Sequence, residues 1–314
     1  MSSQVIIYSG KATEYLAEKI AKDYGAKLGK IGIINFSDGE FEVAFEETIR
    51  GKELFIIQST FSPIDNLFEL LMMVDAAKRA SADKINAVIP YYGYARQDRK
   101  SKPRVAIGAK LIADLLATAG ITRIITMDLH SDQIQGFFNV PVDHLYASSI
   151  FIPYLMSLNL PKLTVGSPDT GGTKRANAYR NFLDCELIIC HKERDMPNRI
   201  SDMVLVGNVK GRDVVLLDDI IDTAGTITKA ADIVMKAGAN SVRAMCTHPI
   251  LAGEAYERIE NSALSELIVT DTIPLKKQSD KITVLSISEI FADVIHKNIR
   301  CESISTHYDI NTII

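Results

Sequence analysis

Short runs of Val, Ile and Leu alternate along the whole chain with stretches whose apolar residues recur every three or four positions. A run that is apolar at consecutive positions needs burial on both faces, which strands of a parallel sheet have. On this basis strands are predicted at Gln4–Tyr8, Leu54–Gln58, Ile85–Pro90 and Arg123–Asp128. In the second half they are predicted at Leu163–Ser167, Glu186–Cys190, Asp213–Leu217, Ser241–Cys246 and Leu267–Thr270. Between strands, Leu67, Leu70, Leu71, Val74 and Ala77 keep helical spacing, with Asn66 as the expected N-cap and Glu69 three residues on, as in a capping box. Ile107–Ala119 and Ile227–Ala237 are further predicted helices, each followed by a glycine (Gly120, Gly238) where a left-handed residue suits a C-terminus.

The two halves share one coarse order of strand, polar loop, helix and strand, which predicts α/β architecture in two similar doubly wound domains with mainly parallel sheets. The boundary is placed near Tyr146–Phe151, giving domains 1–146 and 147–290, with the tail from about 290 to 314 expected to rejoin the first. A length of 314 residues suits two domains better than one. The net charge of −4 gives no nucleic-acid footprint, so an anionic ligand needs a local basic cluster. The start, MSSQVIIYSG, lacks the pattern of a signal peptide, and no apolar run is long enough to span a bilayer. Cys185, Cys190, Cys246 and Cys301 show no metal-type spacing and read as reduced, buried thiols of a cytoplasmic protein.

Chemistry concentrates in VVLLDDIIDTAGTI. The apolar run ends on Asp218 and Asp219, and Asp222, Thr223, Ala224, Gly225 and Thr226 follow just before a helix. Successive backbone N–H groups in a tight loop, backed by a helix N-terminus, make an anion nest, and Gly225 is expected to let the backbone come close. Carboxylates repel phosphate, so the acids must serve another part of the ligand: sugar hydroxyls or a magnesium ion. A phosphorylated sugar satisfies both, whereas a simple helix cap needs one acid rather than three. YYGYARQDRK follows a predicted strand and sets Arg96, Arg99 and Lys100 among tyrosines; it reads as a phosphate-binding cluster or as a solvated basic turn. FSDGE alone is ordinary turn chemistry, and the charged segment Cys190–Arg199 alone is a solvated loop. Asp128 and His130 follow another strand, and Asp169 lies in GSPDTGG, whose Gly171 and Gly172 suit a loop approaching diphosphate.

LLDDIIDTAGT resembles the phosphoribosyl-diphosphate motif of type I phosphoribosyltransferases and of ribose-phosphate diphosphokinases. FSDGE, YYGYARQDRK, MDLHS, QIQGFF and SPDTGG together resemble the diphosphokinases over nearly the whole chain. The resemblance implies domains of type I phosphoribosyltransferase-like fold and transfer of the β,γ-diphosphoryl group of ATP to ribose 5-phosphate. A phosphoribosyltransferase or a non-catalytic regulatory paralogue are the alternatives. By the same resemblance Asp38, Gly39, Glu40, Arg96 and Gln97 bind ATP, the first three from a neighbouring subunit. His130 and Asp169 serve Mg2+, and Asp218, Asp219, Asp222, Thr223, Ala224, Gly225 and Thr226 bind ribose 5-phosphate. Lys192 and Arg194 are catalytic residues on a flexible loop, Arg194 also reaching the sugar phosphate. A cytoplasmic homo-oligomer, a hexamer, with neither nucleic acid nor membrane as partner, completes the expectation. The chain departs from the family pattern at Lys100–Lys110 and at Tyr308, two regions tied to regulation in the phosphate-activated class.

Overall fold

The computed structural model describes residues 5–192 and 203–305, with only the backbone of Lys192. The chain divides into two compact units: the first holds the residues up to Leu145 and Ser288–Ile304, the second chiefly Tyr146–Ile287.

The first unit is built on β1 (Val5–Ser9), β4 (Glu53–Ile57), β5 (Lys84–Ile89), β6 (Arg123–Met127) and β7 (Val142–Leu145), all parallel and side by side in that order. A separate antiparallel hairpin, β2 (Ile31–Asn35) and β3 (Phe41–Phe45), leaves the sheet. Successive strand residues face opposite ways, so Leu54, Ile56, Ala87 and Ile89 meet α2 (Asp65–Arg79) and α3 (Gly108–Ala119) in one core. Two other helices, α1 (Glu14–Tyr24) and α8 (Ser288–Arg300), pack on each other, with Tyr24 stacked on His296 at 4.1 Å.

The second unit contains β8 (Leu163–Ser167), β9 (Glu186–Lys192), β10 (Met203–Val206), β11 (Asp213–Ile221), β12 (Ser241–Pro249), β13 (Glu266–Thr270) and β14 (Ile282–Leu285). Its strand order is β10-β9-β8-β11-β12-β13-β14, with only the β9–β10 pair antiparallel. Helices α4 (Ser148–Ser157), α5 (Thr173–Leu183), α6 (Gly225–Lys236) and α7 (Ala255–Asn261) complete it. The mainly parallel α/β architecture holds in both units. Reversal of strand order, which opens a crevice at the carboxyl ends of the two strands concerned, belongs to the second and falls between β8 and β11.

Three local expectations need correction. Helix α2 starts one residue before Asn66, whose side-chain amide instead donates to the Phe61 carbonyl (2.9 Å). Glu69 is buried and accepts the Lys11 N–H (2.6 Å), so no capping box forms. Of the cysteines, Cys190 and Cys246 are buried, but Cys185 is half-buried and Cys301 exposed. No helix among the described residues is long and apolar enough to cross a membrane.

Candidate functional site

Strand β11 does not stop at Leu217. It stays paired with β12 as far as Ile221, but its pairing with β8 ends at Leu216 opposite Gly166. Asp218 and Asp219 therefore lie within the strand, on the stretch that has outrun β8, at the switch point of the sheet. Cys246, beside Asp218 in the neighbouring strand, donates its thiol to the Asp219 carbonyl (3.5 Å) and is pushed up by burial and by both acids, which leaves it inert.

The acids are held against each other and against one cation. The Asp219 N–H donates to Asp218 Oδ1 (2.9 Å), and Arg175 Nη1 donates to Asp219 Oδ1 (3.2 Å). Burial first, then the charge of Asp219, raises Asp218 to about 8; Arg175 opposes the shift and Asp169 adds to it. A proton held in the folded state but not the unfolded one makes stability fall as pH rises from the ordinary carboxylate value, 3.8, through about 8. In chelator without ligand, Asp218→Asn should therefore melt above the parent at pH about 9, the gap closing toward pH about 4. Differential scanning calorimetry checks this, and a gap independent of pH would contradict it.

The loop after β11 meets the helix with Ala224, not Gly225, in the left-handed region (φ 59°). Gly225 is the first residue of α6, and its φ is not positive. No acid occupies the first turn of α6, which leaves its positive end available to an anion. The SPDTGG turn stands at the end of β8. Asp169 Oδ1 accepts the N–H groups of Gly171 (2.8 Å) and Gly172 (3.2 Å). A Cβ on Gly172 would lie 2.6 Å from Ser167 Oγ, so this position needs glycine.

The remaining expected site residues lie in the first unit. Asp38, Gly39 and Glu40 form the exposed turn of the β2–β3 hairpin, closed by Phe36 N–H to the Glu40 carbonyl (2.8 Å) and Glu40 N–H to Asp38 Oδ1 (3.0 Å). Arg96 and Gln97 are exposed in the turn after β5. Tyr91 and Tyr92 are buried, Tyr92 edge-on to Phe138, so only Tyr94 remains as an exposed ring beside the arginine. His130 is exposed beyond the end of β6. The structure thus brings Asp169, Asp218, Asp219 and the 222–226 loop together in the second unit, with the ATP-type residues in the first. Arg194, the Lys192 side chain and Tyr308 lie outside the described residues.

Arg175 was missed from sequence. Its signal was legible: Lys174 and Arg175 sit in the first turn of α5, where the helix dipole favours acids. Among the described residues no group of three or more acids, histidines or cysteines is arranged to hold a metal. The paired acids nonetheless fit Mg2+, which takes hard oxygen ligands, accepts only one or two protein carboxylates and would offset the charge that raises Asp218.

Two α/β units on parallel sheets, one with an acid pair and an anion-ready loop at its switch point, define a protein of the class that handles nucleotides and sugar phosphates. A model of the N-terminal domain of ribose phosphate pyrophosphokinase matches residues 5–120, and one of the phosphoribosyl synthetase-associated domain matches residues 190–309. The ribose-phosphate pyrophosphokinase of Porphyromonas gingivalis is 55% identical over 303 residues, covering 96% of this chain and 97% of that one. That of Wolinella succinogenes is 51% identical over 301 residues, with 96% and 97% covered. The crystal structure of phosphoribosylpyrophosphate synthetase from Mycobacterium smegmatis superposes with a TM-score of 0.90 at 37% identity, covering 95% of this chain and 100% of that chain. The chain belongs to the ribose-phosphate pyrophosphokinase family.

Proposed function

We propose that the chain is a ribose-phosphate diphosphokinase, taking ATP and ribose 5-phosphate and releasing AMP and 5-phosphoribosyl 1-diphosphate. The observation that carries this reading is the acid pair Asp218–Asp219 running straight into the 222–226 loop at the β8/β11 crevice. Backbone N–H groups of the loop and the Thr223 and Thr226 hydroxyls hold the 5-phosphate. Asp218 and Asp219 accept hydrogen bonds from the ribose hydroxyls, fixing the sugar for reaction at its 1-position. The 1-oxygen bonds to the β-phosphorus of ATP, the bond from that phosphorus to the α,β-bridging oxygen breaks, AMP leaves with the bridging oxygen, and the hydroxyl proton is released. Mg2+ would be held by Asp169 and His130 on the ATP side and by the acid pair on the sugar side, where it would neutralise the phosphate charge. Lys192 and Arg194 place positive charge on the transferring group.

Asp38, Gly39 and Glu40 reach ATP from a neighbouring copy in a cytoplasmic homo-oligomer, and Arg96 and Gln97 bind it from their own unit. Ile34 and Phe36, 56% and 49% exposed beside the hairpin turn, support a partner over this surface.

Gly225→Val tests the loop. A Cβ here sits 3.4 Å from Arg258 Nη1 and 3.9 Å from Thr223 Oγ1, so the branched methyls crowd the mouth of the nest. Ribose 5-phosphate affinity should fall about tenfold or more by calorimetric titration, the scale of one charge-assisted hydrogen bond, with ATP affinity kept. Unchanged sugar-phosphate affinity would mean that the loop is not the phosphate site.

A further inference from the structure

Helix α7 and the turn before it supply a device that the sequence motif does not contain. Three successive carbonyls of the acid-loop segment are each taken by a donor from this region. The Leu251 N–H donates to the Ile221 carbonyl (3.1 Å), the Ala252 N–H to the Asp222 carbonyl (2.9 Å), and Arg258 Nη1 to the Thr223 carbonyl (3.0 Å). The next carbonyl, of Ala224, accepts the N–H (3.1 Å) and hydroxyl (2.8 Å) of Thr228 inside α6. In a planar trans peptide the carbonyl of one residue and the N–H of the next point in opposite directions. Fixing the carbonyls of Ile221, Asp222 and Thr223 toward α7 therefore turns the N–H groups of Asp222, Thr223 and Ala224 away from it. These are the donors that an anion nest needs.

Two of the three clamps are backbone groups, which substitution leaves in place. The third is the Arg258 side chain, and it holds the most vulnerable peptide. Ala224 is in the left-handed region at φ 59°, a conformation that an L-residue with a Cβ resists. Rotation of the Thr223–Ala224 peptide would relieve that strain and would present a carbonyl oxygen, instead of an N–H, to the phosphate. Arg258 is itself braced: its Nη2 donates to Glu254 Oε2 (2.8 Å) one turn back on the same side. Its side chain is 41% exposed, so its removal opens no core cavity.

From this geometry we infer that Arg258 is a positioning residue for ribose 5-phosphate, holding the Thr223–Ala224 peptide with its N–H toward the sugar phosphate through a hydrogen bond to the Thr223 carbonyl. The inference rests on the loop being the sugar-phosphate site. It adds a residue from outside the motif, acting through the backbone rather than on the substrate.

The test is calorimetric titration of ribose 5-phosphate, and separately of ATP, into full-length protein carrying Arg258→Met or Arg258→Lys. Arg258→Met should weaken ribose 5-phosphate about tenfold or more, the scale of a charge-assisted hydrogen bond, with ATP affinity and melting temperature nearly unchanged. Arg258→Lys should restore part of the loss, because an ammonium can donate to the Thr223 carbonyl but lacks the planar fork that also holds Glu254. In the Ala224→Gly background, where the backbone angle carries no strain, the penalty of Arg258→Met should shrink. Unchanged ribose 5-phosphate affinity in Arg258→Met overturns the inference while Gly225→Val still weakens binding, and the loop reading then stands alone. Unchanged affinity in both variants means that the loop reading itself has failed. Equal loss of both ligands with a lower melting temperature assigns Arg258 a structural role and also overturns it, as does a penalty that Ala224→Gly leaves untouched.

Discussion

Asp219→Asn should lower kcat/KM for ribose 5-phosphate by about a hundredfold to a thousandfold, the cost of losing one preorganised group at a reacting centre. The substitution keeps the volume of the side chain and removes only its charge. Asp219 is buried, receives Arg175 at 3.2 Å and lies where β11 has left β8 behind. Three consequences coincide. One sugar hydroxyl loses its charged acceptor, the oxygen pair suited to Mg2+ loses half its charge, and Arg175 is left facing an amide. ATP binding should survive, because Asp38–Glu40, Arg96 and Gln97 belong to the other unit. Steady-state kinetics together with separate titrations decide this. Loss of ATP affinity equal to the loss of activity would place Asp219 in a general structural role.

The second large effect concerns Lys192. Its backbone is the last position of β9 and pairs with Met203, the first of β10. Under the proposed assignment its ammonium acts on the transferring phosphoryl group, where positive charge offsets the charge of the transition state. Lys192→Ala should lower kcat by about a hundredfold or more while ribose 5-phosphate affinity changes little, because the charge acts on the transition state rather than on the bound sugar. A raised KM at constant kcat would contradict that assignment.

Most strands of the two sheets were legible because parallel strands buried on both faces carry uninterrupted apolar runs. Leu163–Ser167 and Arg123–Met127 fall within a residue of where the pattern puts them. The far end of β11 was not legible. Asp218 and Asp219 look like a strand terminus, and only pairing with β12, a contact distant in sequence, carries the strand on to Ile221. The β2–β3 hairpin was missed because its burial is patchy, with Ile34 exposed and only Val43 buried. Within the site, the acids and small-residue loop announced themselves through composition. The backbone angle did not: the left-handed conformation falls on Ala224, which carries a Cβ. Arg258 gave no signal at all, since AYERIE reads as a polar helix face whose purpose appears only when the Thr223 carbonyl is found beside it.

The central claim is that the acid pair and loop of the second unit hold ribose 5-phosphate for diphosphoryl transfer from ATP. Phosphorus-31 NMR of the full-length protein with ATP, ribose 5-phosphate and Mg2+ tests it most directly. The expected spectrum gains AMP and a sugar C1-diphosphate in equal amounts, with neither formed when ribose 5-phosphate is omitted and both formed far more slowly when Asp219→Asn replaces the parent at the same concentration. Formation of ADP in place of AMP, or AMP appearing without ribose 5-phosphate, would contradict it.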